Sequence, residues 1–550
     1  LGSCTLIASD KTGTLTVNEM TVTQIRFPSN RHLLVSGQGF APEGQVLHNG
    51  QPLRYQSRPE KSDDSLANSL DELLRIGVLC NEANLHQQSH DNHSQWQWRG
   101  DPTDIALLSL ALKAGLEKEA LMADWPQVNE IPFEPEHQFA ATYHRNANRT
   151  RVYIKGAPER VVSMCQWRDD SALEAALAVA REMADAGFRV LALASGDVTG
   201  ELADLATPSE PTGLDLVGFI GMIDPLREGV REAVADCQAA GIRVCMVTGD
   251  HPATALAIAR QLGMANTPDQ VVLGSQIAEH TDEQLRSLVE HARVFARVAP
   301  RQKLQIVNAA RDLGHFVAVT GDGVNDAPAL RAANIGVAMG KSGTDVAREA
   351  AELIISDDNF KTIVAGVEEG RVAFDNIRKV IFLLVSTGAA EVCLLGLAVL
   401  SGVPLPLLPV QILWLNLVTS GIQDKPLALE SAEENVLHRP PRSPQEPIFN
   451  QLMIERTIVV AFVMAALGYA SFVWMLKHGW DEASARNGLL FFLVIMKTFH
   501  LGAARSETKY SLWLSPWKSP FLLLCAIGAI LVHLAAMYFP PLKLILSTQP

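Results

Sequence analysis

Cys4-Thr5-Leu6-Ile7-Ala8-Ser9-Asp10-Lys11-Thr12-Gly13-Thr14-Leu15-Thr16 is the stretch on which the fold turns. Its first half is a short apolar run that stops at an acidic residue; its second half is a turn rich in glycine and hydroxyls. Similar apolar runs recur in GIRVCMVTGD (241–250), HARVFARVAP (291–300) and HFVAVTGDG (315–323), each followed by a helical pattern. Strands alternating with helices predict a parallel sheet covered on both faces. In such sheets chemistry collects at the C-terminal strand ends, where Asp10, Asp250 and Asp322 fall.

Outward from that core the organisation changes twice. Between Glu19 and about Met222 the alternation gives way to irregular polar stretches (HQQSHDNHSQWQWRGD) and hairpin-like segments, which we read as an inserted domain. Asp224-Pro225-Leu226-Arg227 sits where the chain returns to the first sheet, as a hinge strand. From about residue 375 apolar runs dominate, each long enough to cross a bilayer at about 20 residues. The expected boundaries are 1–18 and 223–358 for the parallel domain, 19–222 for the insertion and 359–550 for stalk and membrane helices. Spans are expected near 380–402, 407–429, 457–477, 487–504 and 520–539.

The flanking charges orient these spans. Arg378 and Lys379 precede the first, Arg439, Arg442 and Arg456 lie between the second and third, and Arg505, Lys509 and Lys518 lie between the fourth and fifth. The positive-inside tendency makes those sides cytoplasmic, matching a cytosolic front. Five spans leave the C-terminus outside, with PPLKLIL as the start of a sixth. LGSCTLIASD has no signal-peptide features and reads as a strand in progress, so a fragment or lost upstream sequence is expected.

With 550 residues the chain is too long for one globular domain. A net charge of -14 without a long Lys/Arg run argues against nucleic acid as a partner. The 7 cysteines form no CxxC pair or zinc-type cluster and read as reduced thiols.

The chemistry starts at Asp10. A carboxylate at a strand end is a nucleophile that can attack a phosphoryl group and form an acyl phosphate, while Gly13 and the turn amides allow close approach of phosphate oxygens. Thr320-Gly321-Asp322-Gly323-Val324-Asn325-Asp326 brings two carboxylates and an amide to the same edge. Asp322 paired with Asp10 suits magnesium, a hard cation that prefers oxygen and offsets the charge between an anionic nucleophile and a polyphosphate. Thr248-Gly249-Asp250 offers a hydroxyl and an amide to the phosphoryl group, and Lys303 a point charge. Each alone is ordinary; together they form a constellation.

In DKTGTLT, KGAPE, DPLR, TGD, FARVAPRQK and TGDGVNDAPAL, in this order over residues 1 to about 510, the sequence resembles the P-type ATPases of type II, which include the calcium pumps and the sodium/potassium pump. The resemblance implies a haloacid-dehalogenase-like α/β (Rossmann-type) phosphorylation domain, an inserted α+β nucleotide-binding domain and an α-helical transmembrane bundle. It implies ATP and Mg2+ as cofactors, with Asp10 phosphorylated and Asp10, the Thr12 carbonyl and Asp322 on magnesium. Thr248, Gly249 and Lys303 would bind phosphate, and Lys11, Asp250, Asn325 and Asp326 complete the catalytic set. Phe133 would stack on adenine, with Lys155, Asp104 and Arg189 lining the nucleotide pocket. Many relatives carry a Lys five residues beyond the phenylalanine, where this chain has Gln138.

The resemblance also implies a transported cation, with calcium the leading ion. Glu391 lies in the first span, and Asn416, Thr419, Ser420 and Asp424 in the second; on a regular helix Asn416, Ser420 and Asp424 share a face. Glu507 resembles a further site position. Two departures thin this set: Ser420 stands where calcium pumps carry Asp, and Gly388 where they carry Asn. Fewer ligands favour a single calcium, a monovalent ion or a proton. Lys497, in mid-span, is an internal counter-charge with Glu391 or Glu507 as partner, or else snorkels.

The expected setting is a lipid membrane, the bacterial inner (plasma) membrane, with the catalytic domains cytoplasmic and no obligate protein partner inferable. Two other readings stay open at this point. One is a haloacid-dehalogenase-type phosphatase with an added anchor, against which stands Thr12 in the place of a general acid. The other is a catalytically incomplete remnant, because the family's actuator domain and first four spans are not in these 550 residues.

Overall fold

The computed structural model describes residues 1–550 except 54–64, 91–92, 148, 199–207, 434, 444, 507–514, 516, 518 and 547–550. Two compact units are present, Leu6–Gln238 with Arg243–Thr362, and Ile363–Pro550 with Leu1–Thr5 and Ala239–Ile242.

The first unit holds two large sheets. Seven parallel strands run in the order Val271–Leu273, Val294–Ala296, Arg243–Val247, Leu6–Asp10, Val317–Gly321, Ile335–Met339, Leu353–Ile355. Leu6–Asp10 is central and its first four residues are buried, as expected of a strand covered on both faces. Leu6, Ala8, Cys245, Val247, Phe295, Ile306 and Val317 share its core. Strand register aligns the acidic turns. Asp10 lies opposite Val247 and Ser9 opposite Thr320, so Thr248 and Asp322 emerge beside Asp10 at one sheet edge.

Nine antiparallel strands form the inserted sheet, in the order Gln51–Pro52, Val46–His48, His32–Val35, Thr21–Arg26, Asp215–Ile223, Arg189–Val198, Arg149–Gly156, Phe139–Asn146, Gln127–Ile131. Leu70, Leu73 and Leu74 of the Ser65–Leu79 helix and Leu107 and Leu110 of Pro102–Lys113 pack against it in one core. Ala176, Ala180 and Met183 of Asp170–Asp185 join another with Phe139 and Phe219. The chain leaves and re-enters the parallel domain through two paired strands: Thr16 bridges Leu226 antiparallel, Val17 N donates to Pro225 O at 3.0 Å and Arg227 N to Leu15 O at 3.0 Å.

In the second unit, four helices among the described residues are long and apolar enough to cross a membrane: Phe360–Ser401, Gln451–Lys477, Glu482–Ala504 and Pro520–Tyr538. Large apolar side chains such as Val392, Leu400, Phe462, Phe499 and Leu524 are exposed on them, a surface suited to hydrocarbon rather than water. The span expected at 407–429 differs. It consists of two shorter helices, Pro409–Val418 and Ser420–Ala428, meeting at Thr419. Thr419 Oγ1 donates back to Leu415 O at 2.6 Å, and Pro426 inside the second segment has no N–H to give. Both features bend or interrupt a helix. The shared face expected for Asn416, Ser420 and Asp424 assumed a regular helix, whereas the backbone breaks between Asn416 and Ser420.

Candidate active site

The edge of the parallel sheet gathers carboxylates around one ammonium. Lys303 lies in the first turn of Pro300–Asp312, which Pro300 opens at the position where a missing N–H costs nothing. Its long side chain leans towards the helix N-terminus, and Nζ donates to Asp10 Oδ2 and Asp326 Oδ1, both at 2.6 Å. Asp326 Oδ2 accepts from Gly323 N at 3.0 Å. Burial pushes the Asp10 carboxyl up; Lys303 pulls it down and Asp326 raises it, with a net upward shift. Burial alone would lower the Lys303 ammonium, but the two aspartates hold it above its ordinary value.

Asp322 is pushed up to about 6, first by burial and then by the charges of Asp10 and Asp326. Oxygens of Asp10, Asp322 and Asp326 lie within 4.8 Å of one another. Gly13 closes this cradle: it has φ 71°, and a Cβ there would fall 2.2 Å from Asp322 Oδ2. Glycine is therefore required twice, by its conformation and by the approach of a carboxylate.

A second set of contacts fixes the turn. Lys11 Nζ lies 2.7 Å from Asp250 Oδ2 and 3.5 Å from Asp224 Oδ2. Asp224 also accepts from Thr16 Oγ1 (2.5 Å) and Asn18 N (2.8 Å). Arg227 donates to Gly13 O (2.9 Å) and Thr16 O (3.1 Å). Thr248 is buried, and its Oγ1 accepts from Asp250 N at 3.1 Å; Gly249 and Asn325 are exposed on their turns. Thr12 is half-buried in the turn beside Asp10.

On the inserted sheet, Phe133 is 58% exposed. Lys155 and Asp104 are buried and ion-paired, and Asp104 Oδ2 accepts from Glu82 N at 3.2 Å. Lys155 pairs across strands with Leu193, and Arg189 stands exposed at the start of that neighbouring strand. Gln138 adopts φ 62°, and its carbonyl accepts from Ala157 N in the KGAPE turn at 2.9 Å.

In the second unit Glu391, Asn416 and Lys497 come together. Lys497 Nζ donates to Glu391 Oε1 at 2.6 Å and to Asn416 Oδ1 at 3.0 Å. Thr419 is buried, Ser420 half-buried, and Asp424 Oδ1 is buried without a hydrogen-bond partner among the described residues. Glu507 lies outside the described residues, so of the two partners expected for Lys497 the structure places Glu391.

Comparison with known proteins agrees along the chain. The family described as "P-type ATPase, cytoplasmic domain N" matches residues 69–229, "haloacid dehalogenase-like hydrolase" 171–331, and "Cation transporting ATPase, C-terminus" 404–550. Over its whole length the chain is 39% identical to "Probable cation-transporting ATPase F" of Mycobacterium tuberculosis, covering 61% of that protein. It is 35% identical to "Calcium-transporting ATPase" of Bacillus subtilis, covering 61%, and 35% identical to human "Calcium-transporting ATPase type 2C member 1", covering 58%. The chain belongs to the P-type cation-transporting ATPases. It spans about three fifths of the length of these relatives, and its membrane helices make it an integral membrane protein.

The matches to P-type ATPase and haloacid-dehalogenase-like domains make Mg2+ the ion against which this donor set is compared. The donor set fits the ion: three carboxylates converge while a single ammonium serves two of them, and burial with this crowding raises the Asp322 carboxyl, a repulsion that a hard cation would relieve. Two groups that hold the turns of this site carry little signal in the sequence. Arg227 is visible there only as the last letter of DPLR. Asp358, whose carboxylate accepts from Gly340, Lys341 and Ser342 N at 2.7–2.9 Å, lies far enough from its donors in sequence to leave no local signal.

Proposed function

We propose that this chain carries the phosphorylating and C-terminal membrane parts of a pump that moves cations across a membrane by way of an aspartyl phosphate on Asp10. The observation that carries the reading is the position of Asp10 at a strand end, 2.6 Å from Lys303 and within reach of Asp322.

In the proposed step Asp10 Oδ attacks the γ-phosphorus of ATP, the bond to the β–γ bridging oxygen breaks, and ADP leaves. Asp10, Asp322 and the Thr12 carbonyl would hold magnesium, which when bound offsets the charge between carboxylate and phosphates. Lys303 with Thr248 and the Gly249 amide face the phosphoryl oxygens. The Lys11–Asp250 pair and Asn325 keep the surrounding turns in place, and Asp326 orients Lys303. Phe133 has an exposed face that would take adenine, and Lys155, Asp104 and Arg189 would line the rest of the nucleotide pocket. Thr12, in the place of a general acid, slows loss of the phosphate.

For the ion, calcium is the first reading: the Bacillus subtilis and human relatives are named calcium-transporting, and Glu391, Asn416, Thr419, Ser420 and Asp424 supply oxygen ligands, with Glu507 as a further one. A monovalent ion is the second, favoured by the pairing of Glu391 with Lys497, which neutralises that carboxylate.

Incubating the intact membrane protein with Mg2+ and ATP labelled in its γ-phosphate should give acid-stable, hydroxylamine-sensitive label, absent from Asp10→Asn. Label that persists in Asp10→Asn would overturn the reading. Stimulation by micromolar calcium supports the first ion; stimulation by sodium or potassium with indifference to calcium supports the second.

A further inference from the structure

Glu391 and Lys497 are the charged side chains in mid-span of Phe360–Ser401 and Glu482–Ala504. An ionised group in a bilayer centre is costly and persists only with a partner. Here the pair is buried. Lys497 is 2% exposed and Glu391 8%. The ammonium bonds Glu391 Oε1 and Asn416 Oδ1, while Asn416 Nδ2 donates to Glu391 Oε2 at 3.4 Å. Every side-chain oxygen that Glu391 and Asn416 offer is engaged from within the bundle.

Several other polar groups on these helices are also committed, whereas Asp424 Oδ1 is buried without a partner among the described residues. Thr419 Oγ1 donates to Leu415 O (2.6 Å), Gln423 Nε2 to Thr498 Oγ1 (2.8 Å), and Ser386 Oγ lies 2.7 Å from His500 Nε2. An ammonium is a compact point charge with three donors. To a carboxylate and an amide oxygen it presents what a small bare cation presents.

We propose that Lys497 is a tethered competitor of the transported cation: its ammonium fills the place where Glu391 and Asn416 would ligate that ion, which binds there only by displacing it. This rests on the pump reading solely in taking Glu391 and Asn416 as cation ligands. It differs from a purely structural ion pair, because removing a competitor tightens binding, whereas removing a structural pair loosens the fold and improves nothing.

The test is equilibrium binding of radioactive calcium, and of rubidium as a monovalent probe, to the detergent-purified intact protein. Lys497→Met should bind at least one probe about tenfold more tightly, the factor expected from losing a charge-assisted hydrogen bond of about 1.4 kcal/mol. Lys497→Gln, which keeps an amide donor towards Glu391 and so protects the fold, should do the same. Lys497→Arg should bind as weakly as the wild type. In Glu391→Gln/Lys497→Met the gain should vanish, which marks Glu391 as the ligand. Wild-type or weaker affinity for both probes in folded Lys497→Gln overturns the proposal. Binding requires no phosphoryl transfer, so a failure of Asp10 labelling would sink the pump reading while leaving this result to stand by itself.

Discussion

Lys303 Nζ stands 2.6 Å from Asp10 Oδ2 and 2.6 Å from Asp326 Oδ1, so one ammonium is shared between the proposed phosphoryl acceptor and its neighbour. In a partly buried site such a preformed charge is worth far more than in water. Lys303→Ala should slow labelling of Asp10 by about 10²–10³-fold, the usual effect of removing one preorganised donor. Lys303→Arg should not restore it, since a planar guanidinium cannot replace a point charge between two carboxylates. Rapid-quench labelling measures the rate, and a wild-type rate in Lys303→Ala would sink the assigned role.

Gly13 is the position where backbone and charge demands coincide. At φ 71° a side chain costs about 1–2 kcal/mol, and a Cβ would also push into Asp322 Oδ2. Gly13→Ala should therefore lower the melting temperature and raise the magnesium concentration needed for labelling. If melting falls but the magnesium dependence stays put, the glycine serves the turn alone.

Much of this arrangement is legible in the sequence because parallel α/β folds put chemistry at strand ends: Asp10, Thr248 and Asp322 each close an apolar run. The antiparallel insertion can be placed but not ordered, since its strands pair across long loops that leave no local register signal. The membrane part is half legible. Apolar length finds the helices, but the break at Thr419 is not encoded in composition. Lys497 is visible as a mid-span charge. Its choice of Glu391 requires the packing of three helical segments. Lys11 and Asp250 group with the catalytic residues by motif, and the structure joins them to each other, a pairing that no spacing in the sequence announces.

Asp224 ties the two strands that connect the sheets, accepting from Thr16 Oγ1 and Asn18 N with Lys11 beside it. Asp224→Asn should weaken hydrogen bonds to a charged acceptor, each worth about 1.5–3 kcal/mol, without touching Asp10. The expected outcome is faster proteolytic cleavage near residues 16–19 with nucleotide affinity unchanged. Unaltered cleavage would mean that the backbone pairing of Thr16 with Leu226 holds the hinge without help.

Asp358 gives a prediction with a defined pH dependence. Burial pushes its carboxyl up, but the N–H groups of Lys341, Ser342 and Gly340 outweigh that and hold it below the usual carboxylate value. They anchor the loop that also carries Thr344, whose N–H donates to Asp322 O at 2.8 Å. A carboxyl whose folded pKa is depressed contributes stability that is fully present above its unfolded value of about 3.9 and is lost as pH falls through the lower folded value. Asp358→Asn keeps one acceptor oxygen but no charge, so it should melt below the wild type at pH 7, by an amount reflecting roughly 1–2 kcal/mol. That difference should shrink as the pH is lowered below about 4, where the unfolded carboxylate takes up its proton first, and be gone once the folded carboxylate has done so at its lower value. Thermal melts of both proteins across this range decide the matter. A gap that stays constant with pH would show that the side chain acts by shape, not by the charge that three backbone donors converge upon.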